Sequence, residues 1–302
     1  VYKVKVTVPA TVTNLGPGLN VLGLALALHT TIDMHLRSDD ELSVKVSGED
    51  AERIPTDFDN PSLRAAIKVF QRIVRAPAGL EIDIHNQIPF NVGLGGRTAL
   101  VMGGLIAAQN LTGNTLRRDQ IIHIALDMGL PPESIITTIF GGLSSYSRDE
   151  DNNLVYRSWE IQPLRVVVVL PRLENYRELL QPLPQHLTLD DAIYNAAQTA
   201  LLADALQSGD IDLLAQALKN RVYQENKAAH IPGYEAVCEA AYGKGALGVT
   251  ISGRGPTLLA FAEDYHDEVA VAMIDAFADE GYEAVHWILN TDRQGVVLSV
   301  FE

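Results

Sequence analysis

The segment Ile88-Pro89-Phe90-Asn91-Val92-Gly93-Leu94-Gly95-Gly96-Arg97-Thr98 runs without a break into the apolar stretch Ala99 to Gln109. Three glycines ahead of a helix uncover successive backbone N–H groups, and the helix dipole favours negative charge at that end. The chemistry open to such a segment is phosphate binding; the plainer alternative is a glycine-rich helix cap. As a phosphate loop it uses Gly93, Leu94, Gly95, Gly96 and Thr98, with Arg97 as a charge-assisted donor. The spacing is not that of a dinucleotide fingerprint, and the lysine-bearing nucleotide loop is absent.

Two further segments carry glycine where the backbone must turn. Pro9-Ala10-Thr11-Val12-Thr13-Asn14-Leu15-Gly16-Pro17-Gly18-Leu19-Asn20 follows a strand pattern, and its Asn14 and Asn20 can project amides above the turn. Gly248-Val249-Thr250-Ile251-Ser252-Gly253-Arg254-Gly255-Pro256-Thr257 reads as strand, turn and strand, with Ser252 and Gly253 in the turn and Arg254 at its tip. Each alone is also explained by an ordinary turn.

The chain has 302 residues, 47% of them hydrophobic, enough for about two domains. Its net charge of −15 excludes nucleic acid and anionic membrane as bulk partners. An anionic ligand must therefore be held by local cations. One cysteine, Cys238, excludes a disulfide framework or cysteine-rich metal site and predicts a reducing, cytoplasmic setting. The eight histidines show no ligand spacing, and no nucleophile elbow is present. The opening alternation from Val1 to Val6 reads as a strand and not as a signal peptide. Ala99 to Ala108 is about half the ~20 residues a bilayer requires.

Periodicity predicts strands at Val4–Val8, Ile32–Leu36, Leu42–Val46 and Leu80–Ile84. Helices are predicted at Asn20–Leu28, Pro61–Val74, Thr98–Gln109 and Arg118–Met128. The polar stretch 148–153 is a hairpin tip or hinge, and the domain boundary is expected after it, giving units 1–155 and 156–302. The second unit restarts with a doubly buried strand, Leu164–Leu170. A helical region runs from Thr188 to about Lys227, broken at Gly209-Asp210. A helix at Tyr234–Tyr242, strands Gly248–Ser252 and Leu258–Ala262, helix His266–Glu280 and strands Glu283–Ile288 and Gly295–Val300 complete the expected pattern. Its β-β-helix-β order is half of a split βαβ layer.

Taken together, in this order and spacing, the three glycine segments resemble those of the GHMP kinase superfamily, and of homoserine kinases in particular. The first motif is matched by Pro9, Ala10, Asn14 to Gly18, Leu22 and Gly23. The phosphate loop is matched by Pro89, Gly93, Leu94 and Gly95, and the third motif by Ser252, Gly253, Gly255, Pro256 and Thr257. Pro132-Glu133-Ser134, followed by Gly141-Gly142, stands for a fourth anchor. The resemblance implies an α+β fold of two domains: an N-terminal domain with a left-handed βαβ unit, a C-terminal ferredoxin-like domain, and a ligand cleft between them. It also implies ATP as phosphoryl donor, a small-molecule substrate and a homodimer.

The departures concern charge. The two loop serines that help bind nucleotide and magnesium in the family are Gly96 and Arg97 here, and the magnesium-binding glutamate aligns with Gly129 unless Asp127 or Glu133 shifts into place. An arginine beside a magnesium site is hostile to the metal, so no metal ligand is assigned. An aspartate of the family is Asn20, its asparagine beside the reacting hydroxyl is Ser134, and its histidine nearby is Pro131. The carboxylate-gripping arginines correspond to Arg177 and Lys227. The resemblance thus implies catalytic roles for Ser134, Arg97 and Glu133, and substrate contacts for Asn14, Asn20, Arg177, Lys227 and Arg254. Retained cations with a lost anion suit an anionic substrate. Three functions fit this pattern: a homoserine kinase-like phosphotransferase, an enzyme on the same scaffold working on an anionic substrate without ATP and magnesium, or a non-catalytic ligand-binding relative.

Overall fold

A 16-residue strand, β2 (Leu22–Arg37), organises the first half of the molecule. The computed structural model describes residues 3–73, 77–180, 183–184 and 186–301. Strand β1 (Lys3–Thr13) pairs antiparallel along one edge of β2, with a register slip that sets Pro9 opposite His29 and Ala10 opposite Leu26. On the other edge, Thr30–Arg37 of β2 pairs with β4 (Gly79–Asn86), and Leu22–Leu24 pairs with β5 (Leu143–Arg148). Strand β3 (Leu42–Gly48) runs parallel to β4, and α1 (Pro61–Phe70) lies in the connection between them.

The expected helix Asn20–Leu28 is therefore the start of β2. Leu22, Leu24, Leu26 and Leu28 alternate with small residues at a period of two, and all four are buried. Pairing of Gly23–Leu26 with β1 and of Leu22–Leu24 with β5 outweighs local helical preference. The helix expected over Pro61–Val74 begins as read, with Asn60 Oδ1 accepting from the N–H groups of Ser62 (2.9 Å) and Leu63 (3.1 Å), but ends at Phe70; Val74 lies outside the described residues.

Helix α2 (Gly96–Leu111) is apolar nearly all round because it is enclosed by α1 and by the face of β1 and β2. It is followed by α3 (Arg118–Asp127), the helix expected there, and by α4 (Pro132–Phe140), a helix that sequence periodicity does not bring out. The polar stretch 148–153 is a hairpin tip joining β5 to β6 (Leu154–Trp159), and β6 belongs to the first sheet.

The second sheet begins with β7 (Arg165–Pro171). The helical region after it divides into α5 (Tyr176–Leu179), α6 (Leu189–Ser208), α7 (Ile211–Ala217), α8 (Gln224–Ala228) and α9 (Tyr234–Gly243). It is broken at Gly209, as expected, and again between α7 and α8. Then come β8 (Gly248–Ile251), β9 (Leu258–Phe261), α10 (His266–Asp279) and β10 (Ala284–Asn290). The antiparallel order β10-β7-β9-β8 is the ferredoxin-like arrangement. The last strand, β11 (Val297–Phe301), read from sequence with the second half, leaves this sheet and pairs with β1.

Strand β7 is buried on both faces. Val166 and Val168 join the core of the first sheet, while Val167 and Val169 pack with Val237, Met273 and Phe277 under α9 and α10. The core of the first half thus continues, through Val166, Val168 and the α6 and α7 residues Leu202, Leu206 and Leu214, onto one face of the second sheet.

Helix α2 approaches α1 so closely that a Cβ on Gly104 would stand 2.3 Å from the carbonyl oxygen of Ser62. Gly104→Ala is expected to lower stability by about 1–3 kcal/mol through overpacking. Gly243→Ala, where a Cβ meets open space, is expected to cost nothing. Urea unfolding of the two variants checks the contrast.

Candidate active site

The three glycine segments meet at one place. Gly93 (φ +95°) and Gly95 (φ +75°) lead into α2, and neither tolerates a side chain. A Cβ on Gly93 would stand 2.3 Å from the Ser252 carbonyl oxygen, and one on Gly95 would stand 2.1 Å from Thr11 Oγ1. Gly95 caps the helix with no side-chain partner, so the first N–H groups of α2 are left for a ligand.

Hydrogen bonds tie the segments together. Thr11 N–H donates to the Leu94 carbonyl (3.1 Å), and Gly253 N–H donates to the Thr13 carbonyl (2.7 Å). Ser252 Oγ donates to the Gly93 carbonyl (2.6 Å), and Thr257 Oγ1 to that of Val92 (2.7 Å). The Gly253 carbonyl accepts from Asn14 Nδ2 (3.0 Å) and from Lys227 Nζ (2.5 Å). Beneath the first segment, the buried Tyr223 hydroxyl is shared between the carbonyls of Asn14 and Gly16.

They enclose a cavity of about 270 Å³ at the α2 N-terminus. Its wall includes Gly93, Gly95, Gly96, Arg97, Thr98, Ser134, Gly253 and Arg254, so these sequence-derived candidates are brought together. Thr11, Thr13 and Asn91 also face it. Thr11 was legible as part of the first motif, but nothing in its spacing distinguished it. The hydroxyls of Thr11, Ser134 and Thr98 form a chain, Thr11 to Ser134 at 2.6 Å and Ser134 donating to Thr98 at 3.0 Å. Ser134 is carried there by the first turn of α4.

Arg97 and Arg254 both line this wall, and among the described residues it carries no carboxylate. Arg97 Nη2 donates to the Met128 carbonyl (3.1 Å) across the rim, and Arg254 is exposed at the turn between β8 and β9. A locally basic pocket in a chain of net charge −15 is what an anionic ligand requires. Larger clefts, of about 630 Å³ beside the α6–α7 turn and about 1060 Å³ between α8 and α9, contain none of the three glycine segments.

Other candidates lie outside the wall. Asn14 is buried, and both ends of its amide are engaged, its Oδ1 accepting from Asn20 N–H (2.8 Å). Asn20 is exposed, Leu94 is buried in the core, and the Ser252 hydroxyl is bound to the Gly93 carbonyl. Lys227 is buried beneath the third segment with its ammonium 4.2 Å from the centre of the Tyr223 ring. Its place makes it a brace for Gly253. Burial, with the charge of Arg254 adding to it, pushes the Lys227 pKa down to about 8. Glu133 is buried with Oε2 unpartnered, and desolvation raises its pKa above the ordinary carboxylate value. The Arg177 side chain lies outside the described residues, though its neighbour Tyr176 packs against Gly255. Tyr223 had no signature in the sequence, being one aromatic in a helical stretch.

The donor set suits phosphate: open helical N–H groups, a glycine path and two guanidinium groups. It does not suit a magnesium ion held by the protein. Gly129 has no side chain, Asp127 is exposed outside the wall, and Glu133 is buried away from it. Among the described residues no group of three or more His, Cys, Asp or Glu could hold a metal.

Profiles of known families match both halves of the chain: GHMP kinases N terminal domain over residues 62–142, and GHMP kinases C terminal over residues 202–279. A homoserine kinase of Nostoc punctiforme is 36% identical, with 98% of each chain covered, and one of Trichormus variabilis is 35% identical with the same coverage. The crystal structure of homoserine kinase from Cytophaga hutchinsonii superposes with a TM-score of 0.85 at 23% identity, covering 99% of this chain and 98% of that one. The chain belongs to the GHMP kinases and, within them, to the homoserine kinase family of small-molecule phosphotransferases.

The position of Lys227 has a pH signature. Between about pH 8 and its unfolded value near 10.5, the unfolded chain holds a proton that the folded chain has released. Stability from this group therefore rises with pH across that window. Lys227→Met is expected to remove that rise, read as a change in the slope of unfolding free energy against pH between 8 and 10.5 relative to the parent.

Proposed function

We propose that the cavity at the α2 N-terminus receives the γ-phosphoryl group of ATP and transfers it to the hydroxyl of a small hydroxy acid, homoserine or a close relative. The observation that carries this reading is the wall itself, which combines open helical N–H groups, Arg97, Arg254 and the hydroxyls of Thr11, Thr98 and Ser134. Phosphoryl transfer passes through a loose transition state, so positioning and charge neutralisation do most of the work. Arg97 and Arg254 act on the phosphate charge, the Gly93–Gly96 path brings backbone N–H groups to it, and Ser134 lies where the acceptor hydroxyl can be oriented. Asn14, Lys227 and Ser252 keep the three segments in register.

The acceptor is anionic in this reading. Two cations face the cavity, and among the described residues no carboxylate is there to pair with an ammonium group. A hydroxy acid without an amino group is thus favoured over homoserine itself. The family kinship and the single buried Cys238 support a homodimer at work in the cytoplasm, in amino-acid biosynthesis. Among the described residues no helix is long and apolar enough to cross a membrane.

ADP release in the presence of ATP, magnesium salt and either homoserine or 4-hydroxybutyrate tests the reading. Turnover is expected with at least one acceptor, and its absence with both overturns the proposal. Arg97→Ala and Arg254→Ala are each expected to lower kcat/KM by about tenfold or more, the loss of one charge-assisted contact.

A further inference from the structure

We infer that this chain supplies with Arg97 and Arg254 the positive charge that a protein-held magnesium ion would otherwise bring to the nucleotide phosphates. The inference rests on the phosphotransferase reading and concerns how that same site binds its donor. Four observations carry it. The cavity wall includes two arginines and, among the described residues, no carboxylate. Gly129, which faces the cavity, offers no oxygen ligand beyond its backbone, and a Cβ there would meet open space. Arg97 is fixed beside that gap by its bond to the carbonyl of Met128, the preceding residue. Arg254 stands on the segment joined to Gly93 through Ser252, so both cations belong to one braced assembly.

The physical argument is one of like charge and geometry. A divalent cation seated by the protein next to a fixed guanidinium is repelled, and the carboxylate by which a protein ordinarily holds magnesium is missing from this wall among the described residues, whose side-chain oxygens there are neutral. A guanidinium fork matches phosphate oxygens in pairs and cannot be deprotonated. Magnesium can still arrive on the nucleotide, but protein affinity then has no need of it.

Isothermal titration of the whole protein with ATP, in magnesium chloride and in EDTA, tests this. The expected result is a Kd that differs by less than threefold between the two conditions. It should weaken by about tenfold or more in both for Arg97→Ala and for Arg254→Ala. Arg97→Lys, which keeps the charge and loses the fork, should fall between parent and alanine variant. Both arginines are exposed, and circular dichroism with a thermal melt confirms that the variants are folded. A loss of threefold or more in EDTA with the parent protein, or alanine variants that bind within threefold of it, overturns the inference and leaves the phosphotransferase reading in place. No ATP binding in either condition overturns both.

Discussion

The carbonyl oxygen of Gly253 is the point on which the site depends. It accepts from Asn14 in the first segment and from the ammonium of Lys227, while Gly253 N–H reaches back to Thr13. Ser252, one residue earlier, holds the phosphate loop through the Gly93 carbonyl. Three segments far apart in sequence are thereby fixed to one another by buried side chains bonded to backbone carbonyls and by one backbone–backbone bond. A buried lysine is costly unless its donors are used, and here one is used on a carbonyl while the ring of Tyr223 faces the charge. That cost is retained because it sets the geometry of the α2 N-terminus.

Around this junction the distribution of charge is lopsided. The chain is acidic as a whole, yet the cavity wall presents Arg97 and Arg254 without a carboxylate among the described residues. Family membership assigns the class of reaction, and the lining of the wall sets the local electrostatics in which it must run. A guanidinium at Arg97 attracts phosphate and repels a bound cation, where a hydroxyl would be neutral to both. A kinase fold can therefore keep its loop path and change how the charge is balanced.

Much of the site was legible as residue types in order. Gly93, Gly95 and Gly253 were readable because a positive φ or a close backbone approach leaves no other choice. Arg97 and Arg254 stood out as cations next to those glycines. The roles of Asn14, Lys227 and Glu133 were not legible, because a polar residue in a motif can face a ligand or brace the loop that does. Lys227 and Asn14 brace Gly253, and Glu133 is buried away from the wall. Tyr223 carries no local pattern at all, since its partners are carbonyls about two hundred residues earlier in the chain.

By itself the amino-acid sequence determined the local chemistry: a helix start stripped of side chains, a β7 run apolar enough for burial on both faces, and a family order of motifs. Tertiary structure decided what local pattern leaves ambiguous. The Leu22–Leu28 run became strand because β1 and β5 flank and pair with it, and Val297–Phe301 joined the first sheet because the free edge of β1 was there to pair with. Which polar groups face the cavity and which support it was settled the same way. Those choices depend on distances between residues remote in sequence, and only the folded chain brings those residues within reach of one another.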